Sequence, residues 1–217
     1  GNNTQSTNAV AIGNVAGQTT QGPAGVAIGQ NAGNNNQGNS AVAVGNGAGA
    51  TSQSSASVAV GASSGSSGQG ASSVAVGQLS GQTNQGGSAV AIGQSAGGTT
   101  QGAEGIAIGY LAGTNTQGSQ SVAVGRSAGA ANQGTFSVAL GYASASTSQG
   151  GNAVAVGVSS GASNQGAGSV AVGQVAGQTS QGANAVAIGV NAGNNTQLSG
   201  SVAIGSSAGQ TNQSTNA

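Results

Sequence analysis

The apolar residues of this chain return on a fixed beat. Ala9-Val10-Ala11-Ile12-Gly13 recurs as Gly25-Val26-Ala27-Ile28-Gly29 and runs on to Ser201-Val202-Ala203-Ile204-Gly205, thirteen copies sixteen residues apart without insertion or deletion. We number each repeat from the first residue of this pentapeptide. Position two is Val in twelve copies and Ile106 in the other, position three is always Ala, position four is Val, Ile or Leu140, and position five is always Gly. A β-branched pair at period two, closed by glycine, predicts a short strand running into a corner. Helix is disfavoured, because glycine costs about 1 kcal/mol at each helical position and recurs several times per repeat.

The other half of the repeat is polar. It reads Gly17-Gln18-Thr19-Thr20-Gln21-Gly22 in its first full copy. Position eight is Ala or Ser, position nine is Gly except at Ala145, positions eleven and twelve are mostly Thr, Asn and Ser, and position thirteen is Gln without exception. This predicts a second strand, with corners near positions five to eight and fourteen to sixteen. A strict period means one supersecondary unit stacked on itself. The fold expected is therefore all-β: a parallel β-solenoid, a flattened two-strand β-roll of about thirteen coils, forming a single repeat array over residues 1–217. Gln-Ser-Thr-Asn-Ala stands at both 5–9 and 213–217. The array is thus expected to be uncapped and to continue into further coils, of a longer parent chain or of a neighbouring molecule.

Composition narrows the function. Forty-five glycines, two tyrosines, one phenylalanine and no tryptophan or methionine leave little bulk for an ordinary globular core. Glu104 and Arg126 are the only charged side chains. A neutral chain lacks the electrostatic footprint of a nucleic-acid or anionic-membrane binder, and its apolar runs are too short to insert in a membrane as a helix. His, Cys, Asp and Lys are absent, so the many serines and threonines have no general base, and a lone carboxylate cannot form an acid–base pair. No enzymatic activity, cofactor or metal is expected.

Two columns stand out as candidate sites. The first is the glutamines Gln21, Gln37, Gln53, Gln69, Gln85, Gln101, Gln117, Gln133, Gln149, Gln165, Gln181 and Gln197. Identical amides stacked about 4.8 Å apart can bond up and down a solenoid, so an amide ladder is expected. The second is Ala11, Ala27, Ala43, Ala59, Ala75, Ala91, Ala107, Ala123, Ala139, Ala155, Ala171, Ala187 and Ala203. These lie on the strand face opposite Val and Ile, where positions one, three and five hold only Ala, Gly or Ser. A face that admits another backbone closely has this composition, so it is expected to be a dry association face for further copies. The alternative orientation turns Ala into a very thin roll and Val outward. In both, one chain covers only one of two apolar surfaces.

The pentapeptide, as in Ser57-Val58-Ala59-Val60-Gly61 or Ser201-Val202-Ala203-Ile204-Gly205, resembles the repeats in the heads of trimeric autotransporter adhesins, and similar repeats occur in viral fibre proteins. The resemblance implies a left-handed parallel β-roll, three chains packed side by side, and attachment to host matrix or cell surfaces. This chain differs in its sixteen-residue period, where the family usually has fourteen, and in its glutamine column.

The expected function is a structural fibre or adhesin shaft: a rigid, uncharged rod associating with itself side by side and end to end, as a trimer or filament, with host surface or matrix as a possible further partner. Its expected place is extracellular, on a cell-surface appendage or virion. An ice-binding or ice-nucleating solenoid is the alternative, through Thr19, Thr51, Thr83, Thr99, Thr147, Thr179 and Thr211, which fill seven of thirteen coils. A receptor- or carbohydrate-binding fibre is the second alternative. Tyr110, Tyr142, Leu79, Leu111, Arg126, Phe136 and Glu104 fall at corner positions, as drift at solvated turns or as sparse contacts. Asn2, Asn194 and Asn212 open Asn-x-Ser/Thr sequons of the number expected by chance.

Overall fold

Two strands and two turns make up each repeat. The computed structural model describes residues 5–217, so the Asn2 sequon lies outside the described residues. The first strand of a coil takes positions two to four, as in Val10–Ile12 and Val26–Ile28; the second takes positions eleven to thirteen, as in Thr19–Gln21 and Asn35–Gln37. Within each sheet, neighbouring strands one repeat apart pair in parallel. Val10 faces Val26, Ala11 faces Ala27 and Ile12 faces Ile28, while Thr19 faces Asn35 and Gln21 faces Gln37. Like residues therefore stack on like, and the fold is a parallel β-solenoid of about thirteen coils.

The chain divides into two compact units, Gly1–Ile108 and Gly109–Ala217. In the first, seven position-two strands run from Val10–Ile12 to Ile106–Ile108, against five glutamine strands from Thr19–Gln21 to Thr83–Gln85. The next glutamine strand is reduced, at Gly97-Gly98-Thr99-Thr100, to the single bridge of Gln85 with Gln101. In the second unit, six position-two strands run from Val122–Val124 to Val202–Ile204, against seven glutamine strands from Asn115–Gln117 to Thr211–Gln213.

The corners explain the glycines. Position eight donates back to position five (Ala16 N to Gly13 O, 3.4 Å), and position one donates to position fourteen of the coil before (Gly25 N to Gly22 O, 3.1 Å). The third residue of each such turn has positive φ, 50° at Val15 and 53° at Ala24, and Pro23 stands second in the latter turn, the pattern of type II turns. Position five enters its turn at φ between 118° and 129° in all thirteen coils. A methyl group on Gly13 would lie 2.6 Å from Gly29 O in the coil above, so both the dihedral and the stacking distance require glycine.

The interior is where the sequence expectation fails. Ala27, Ala43, Ala59, Ala75, Ala91, Ala107, Ala123, Ala139, Ala155, Ala171 and Ala187 are wholly inaccessible and Ala203 nearly so; Ala11, in the first coil, is half-buried and packs on the same cluster. Position three thus points inward and positions two and four outward, so the alanine column is the core and not an association face. The reason is thickness. Four-residue turns bring the two sheets so close that Ala, Ser and Gly at positions one, three and eight fill most of the gap. Buried serines fit because each hydroxyl donates to a turn carbonyl: Ser121 Oγ to Gly118 O at 2.6 Å, Ser80 Oγ to Gly77 O at 2.8 Å.

Candidate functional site

The largest interior side chain is the position-thirteen glutamine. The second strand bends at position twelve, where Thr20 has φ 51° and Asn36 57°; positions eleven and twelve then face solvent and position thirteen turns in. Gln21 and Gln197 are fully buried and the columns between them at most 3% exposed. Each amide crosses the roll. Gln21 Nε2 donates to Val10 O of the opposite strand at 2.7 Å and to Gly25 O at 3.1 Å, and Gln53, Gln133 and Gln181 reach Val42, Val122 and Val170 O at 2.8 Å. The gap between sheets is one hydrogen-bonded glutamine wide.

Amide-to-amide bonds add to this. Gln37 donates to Gln53 at 3.1 Å, Gln85 to Gln101 at 3.2 Å, Gln149 to Gln165 at 3.1 Å, and Gln181 to Gln197 at 3.1 Å, which in turn donates to Gln213 at 3.2 Å. The coil-to-coil bonds are thus intermittent, and the bond across the roll is the regular one. Oε1 of Gln21, Gln69 and Gln133 meets no N–H or O–H donor. It packs instead on the position-nine glycine, where a methyl on Gly17, Gly65 or Gly129 would stand 2.6 Å away.

The outward face of the position-two strands is apolar from end to end of each unit. Ile28, Val60, Ile92, Ile108, Leu140 and Ile188 at position four are about 36–44% exposed, and the position-two Val or Ile beside each is half-buried. Strands about 4.8 Å apart and outward side chains about 7 Å apart along each strand give an aliphatic plane on the order of 200 Å² per unit. What sets it apart is its regularity and not its area: every coil adds the same pair of outward aliphatic side chains to one contiguous row. Sequence reasoning placed these residues in the core. The opposite face is polar: Thr19, Thr51, Thr147 and Thr179 do point to solvent, but Asn35, Ser67, Ala131 and Ser163 break the column. A shallow groove on this side of the second unit is lined by Asn132, Ser148, Asn164 and Ala167 among others.

The irregular residues sit on the turns. Leu79, Leu111, Glu104 and Phe136 occupy third turn positions with φ of 57–59°. Tyr110, Arg126 and Tyr142 occupy second positions and are exposed. No protein-family model matches the chain, and no curated protein matches it in sequence.

Proposed function

We propose that the protein is a structural fibre component, a shaft that associates with further copies of itself through the Val/Ile face of its position-two strands. The observation that carries this is the exposed aliphatic plane of each unit, which holds no charged residue. The partner that fits it is a second copy. Its rows repeat every strand spacing, about 4.8 Å, and only a surface of the same period interdigitates with them along their whole length. Net charge is zero, so copies do not repel. Burying the aliphatic face contributes about 25 cal/mol per Å² removed from water.

On this reading the chain is a rod-forming part of a surface appendage or virion fibre, and its work is mechanical, with no chemistry. The resemblance to trimeric adhesin heads suggests three copies side by side. The test is sedimentation of the purified chain beside a variant with Val58, Val60, Val74 and Val76 all changed to Thr. The wild type is expected to sediment as an oligomer or filament, and the variant to shift toward monomer with its β-sheet circular dichroism unchanged. A wild type monomeric at every reachable concentration overturns the proposal.

A further inference from the structure

The chain has two tyrosines and one arginine, and all three stand at position six of three consecutive coils in the second unit. Ser127 N donates to Tyr110 O and Ala143 N to Arg126 O, both at 2.9 Å, so these corners stack directly. The guanidinium carbon of Arg126 lies 5.5 Å from the ring centre of Tyr110 and 5.7 Å from that of Tyr142. Elsewhere the column is mostly short and polar, and Asn46 Nδ2 donates to Gln30 Oε1 along it at 3.2 Å. Both tyrosines and the one arginine thus follow one another in unbroken succession along a single column. A purely structural staple explains the ring–cation contacts, but Arg126 is exposed and the edge of its guanidinium is open to solvent and to a ligand.

We propose that Tyr110, Arg126 and Tyr142 form a binding site for the carboxylate of a uronate unit in an extended acidic saccharide. Rings on either side of the guanidinium hold it in place and leave its edge, a fork of N–H donors that matches a planar two-oxygen group. One phenol stands a coil above and one a coil below, about 4.8 Å along the axis each way, and their O–H groups serve sugar hydroxyls beside the carboxylate. The site is a convex corner with no enclosing walls, so it suits a polymer lying along the column and not an engulfed small molecule. The proposal does not depend on self-association, since all three residues belong to one chain.

The probe is a short, fully de-esterified oligogalacturonate, titrated at low ionic strength into the Glu104→Gln protein, which removes the only side-chain carboxylate that a second copy could offer. Binding is read from the backbone amide and side-chain resonances of the whole chain. Expected are saturable shifts confined to these three residues, loss of about tenfold in affinity for Arg126→Gln, and a smaller loss for the Tyr110→Phe/Tyr142→Phe double variant, which keeps the rings and drops the hydroxyls. The methyl-esterified oligomer is expected not to bind, and added salt to weaken binding. Equal affinity in Arg126→Gln, equal affinity for the methyl ester, or no binding in a protein whose Arg126→Gln variant merely melts earlier would each overturn the proposal.

Discussion

A methyl group on Gly17 would stand 2.6 Å from Oε1 of Gln21, four residues on at the end of the strand Thr19–Gln21. The near-invariant glycine of position nine and the invariant glutamine of position thirteen are thus one device: the missing side chain makes room for the amide that bridges the sheets.

The device has one natural exception. Ala145 holds position nine at φ 45°, beside 48–54° for the glycines of the other coils, and it is wholly buried. Gln149 still reaches Val138 O at 2.9 Å, so the coil absorbs the methyl under strain. A left-handed alanine costs about 1–2 kcal/mol relative to glycine. Ala145→Gly is expected to raise the denaturation midpoint by an equivalent of about 1 kcal/mol, and Gly129→Ala to lower it by about 2–4 kcal/mol, dihedral strain and overpacking combined. A neutral Gly129→Ala would show that the glycine is not required by Gln133.

The glutamine column gives a pH prediction. Gln165 Nε2 donates to Val154 O at 2.8 Å, and its Oε1 accepts from Gln149 at 3.1 Å. In Gln165→Glu a carboxylate would face a carbonyl oxygen in a buried site, while the protonated acid restores a donor. Its folded pKa must therefore rise above the unfolded value of about 4.3. The folded state then binds the extra proton, so the variant is most stable below that value and loses stability as pH rises through it toward the raised folded one. Thermal midpoints across this range, measured beside wild type, check the sign; a variant as stable at neutral as at acid pH removes the buried-bridge account. Gln165→Leu has no such pH dependence and is expected to cost about 1–3 kcal/mol at all pH, through the unsatisfied Val154 carbonyl.

The coil was legible in the chain because period and glycine spacing are local properties. Gly13 and Pro23 mark their turns whatever the packing, and in-register parallel stacking follows from a period that never slips. Which face is inside was not local. Val10 and Ile12 alternate with Ala11 equally well in either orientation, and the usual rule that larger aliphatics go inside decides wrongly for a roll this thin. The deciding signal was the set of interior-sized residues taken together. Ala at position three, Ala or Ser at eight, and Ala, Gly or Ser at one leave a space that only a flat glutamine crosses. The tyrosine–arginine stack was visible as a shared position six, but only the two backbone bonds and ring distances bring it together.

Adjacent residues should respond oppositely to enlargement and to polarity. Ala155 is wholly buried between the sheets, while Val156 beside it points outward. Ala155→Val forces a branched side chain into a gap set by the glutamine bridge, and is expected to cost about 1–3 kcal/mol. Val156→Thr keeps the shape and is expected to change the monomer's stability by less than about 0.5 kcal/mol. Denaturant melts of the two single variants decide this. The reverse ranking would put alanine back on the outside.

The turns carry a removable cost. Val175 is third in the turn from Gly173 to Ala176, closed by Ala176 N donating to Gly173 O at 3.3 Å, and it holds φ 52°. A β-branched residue is the least suited to that region, because both γ carbons crowd the backbone, whereas Asn and Gly enter it readily. The equivalent position is Asn31 at φ 58° and Asn191 at φ 59°, so the turn accepts asparagine without change of shape. Val175 O accepts from Asn194 Nδ2 at 3.1 Å, a backbone contact that a side-chain substitution leaves in place. Val175 belongs to neither aliphatic row of the position-two strands, so its loss does not touch the association face. Val175→Asn is therefore expected to raise the denaturation midpoint by about 1 kcal/mol while leaving sedimentation unchanged. A destabilised Val175→Asn would mean that valine packs at this corner by more than its backbone strain costs.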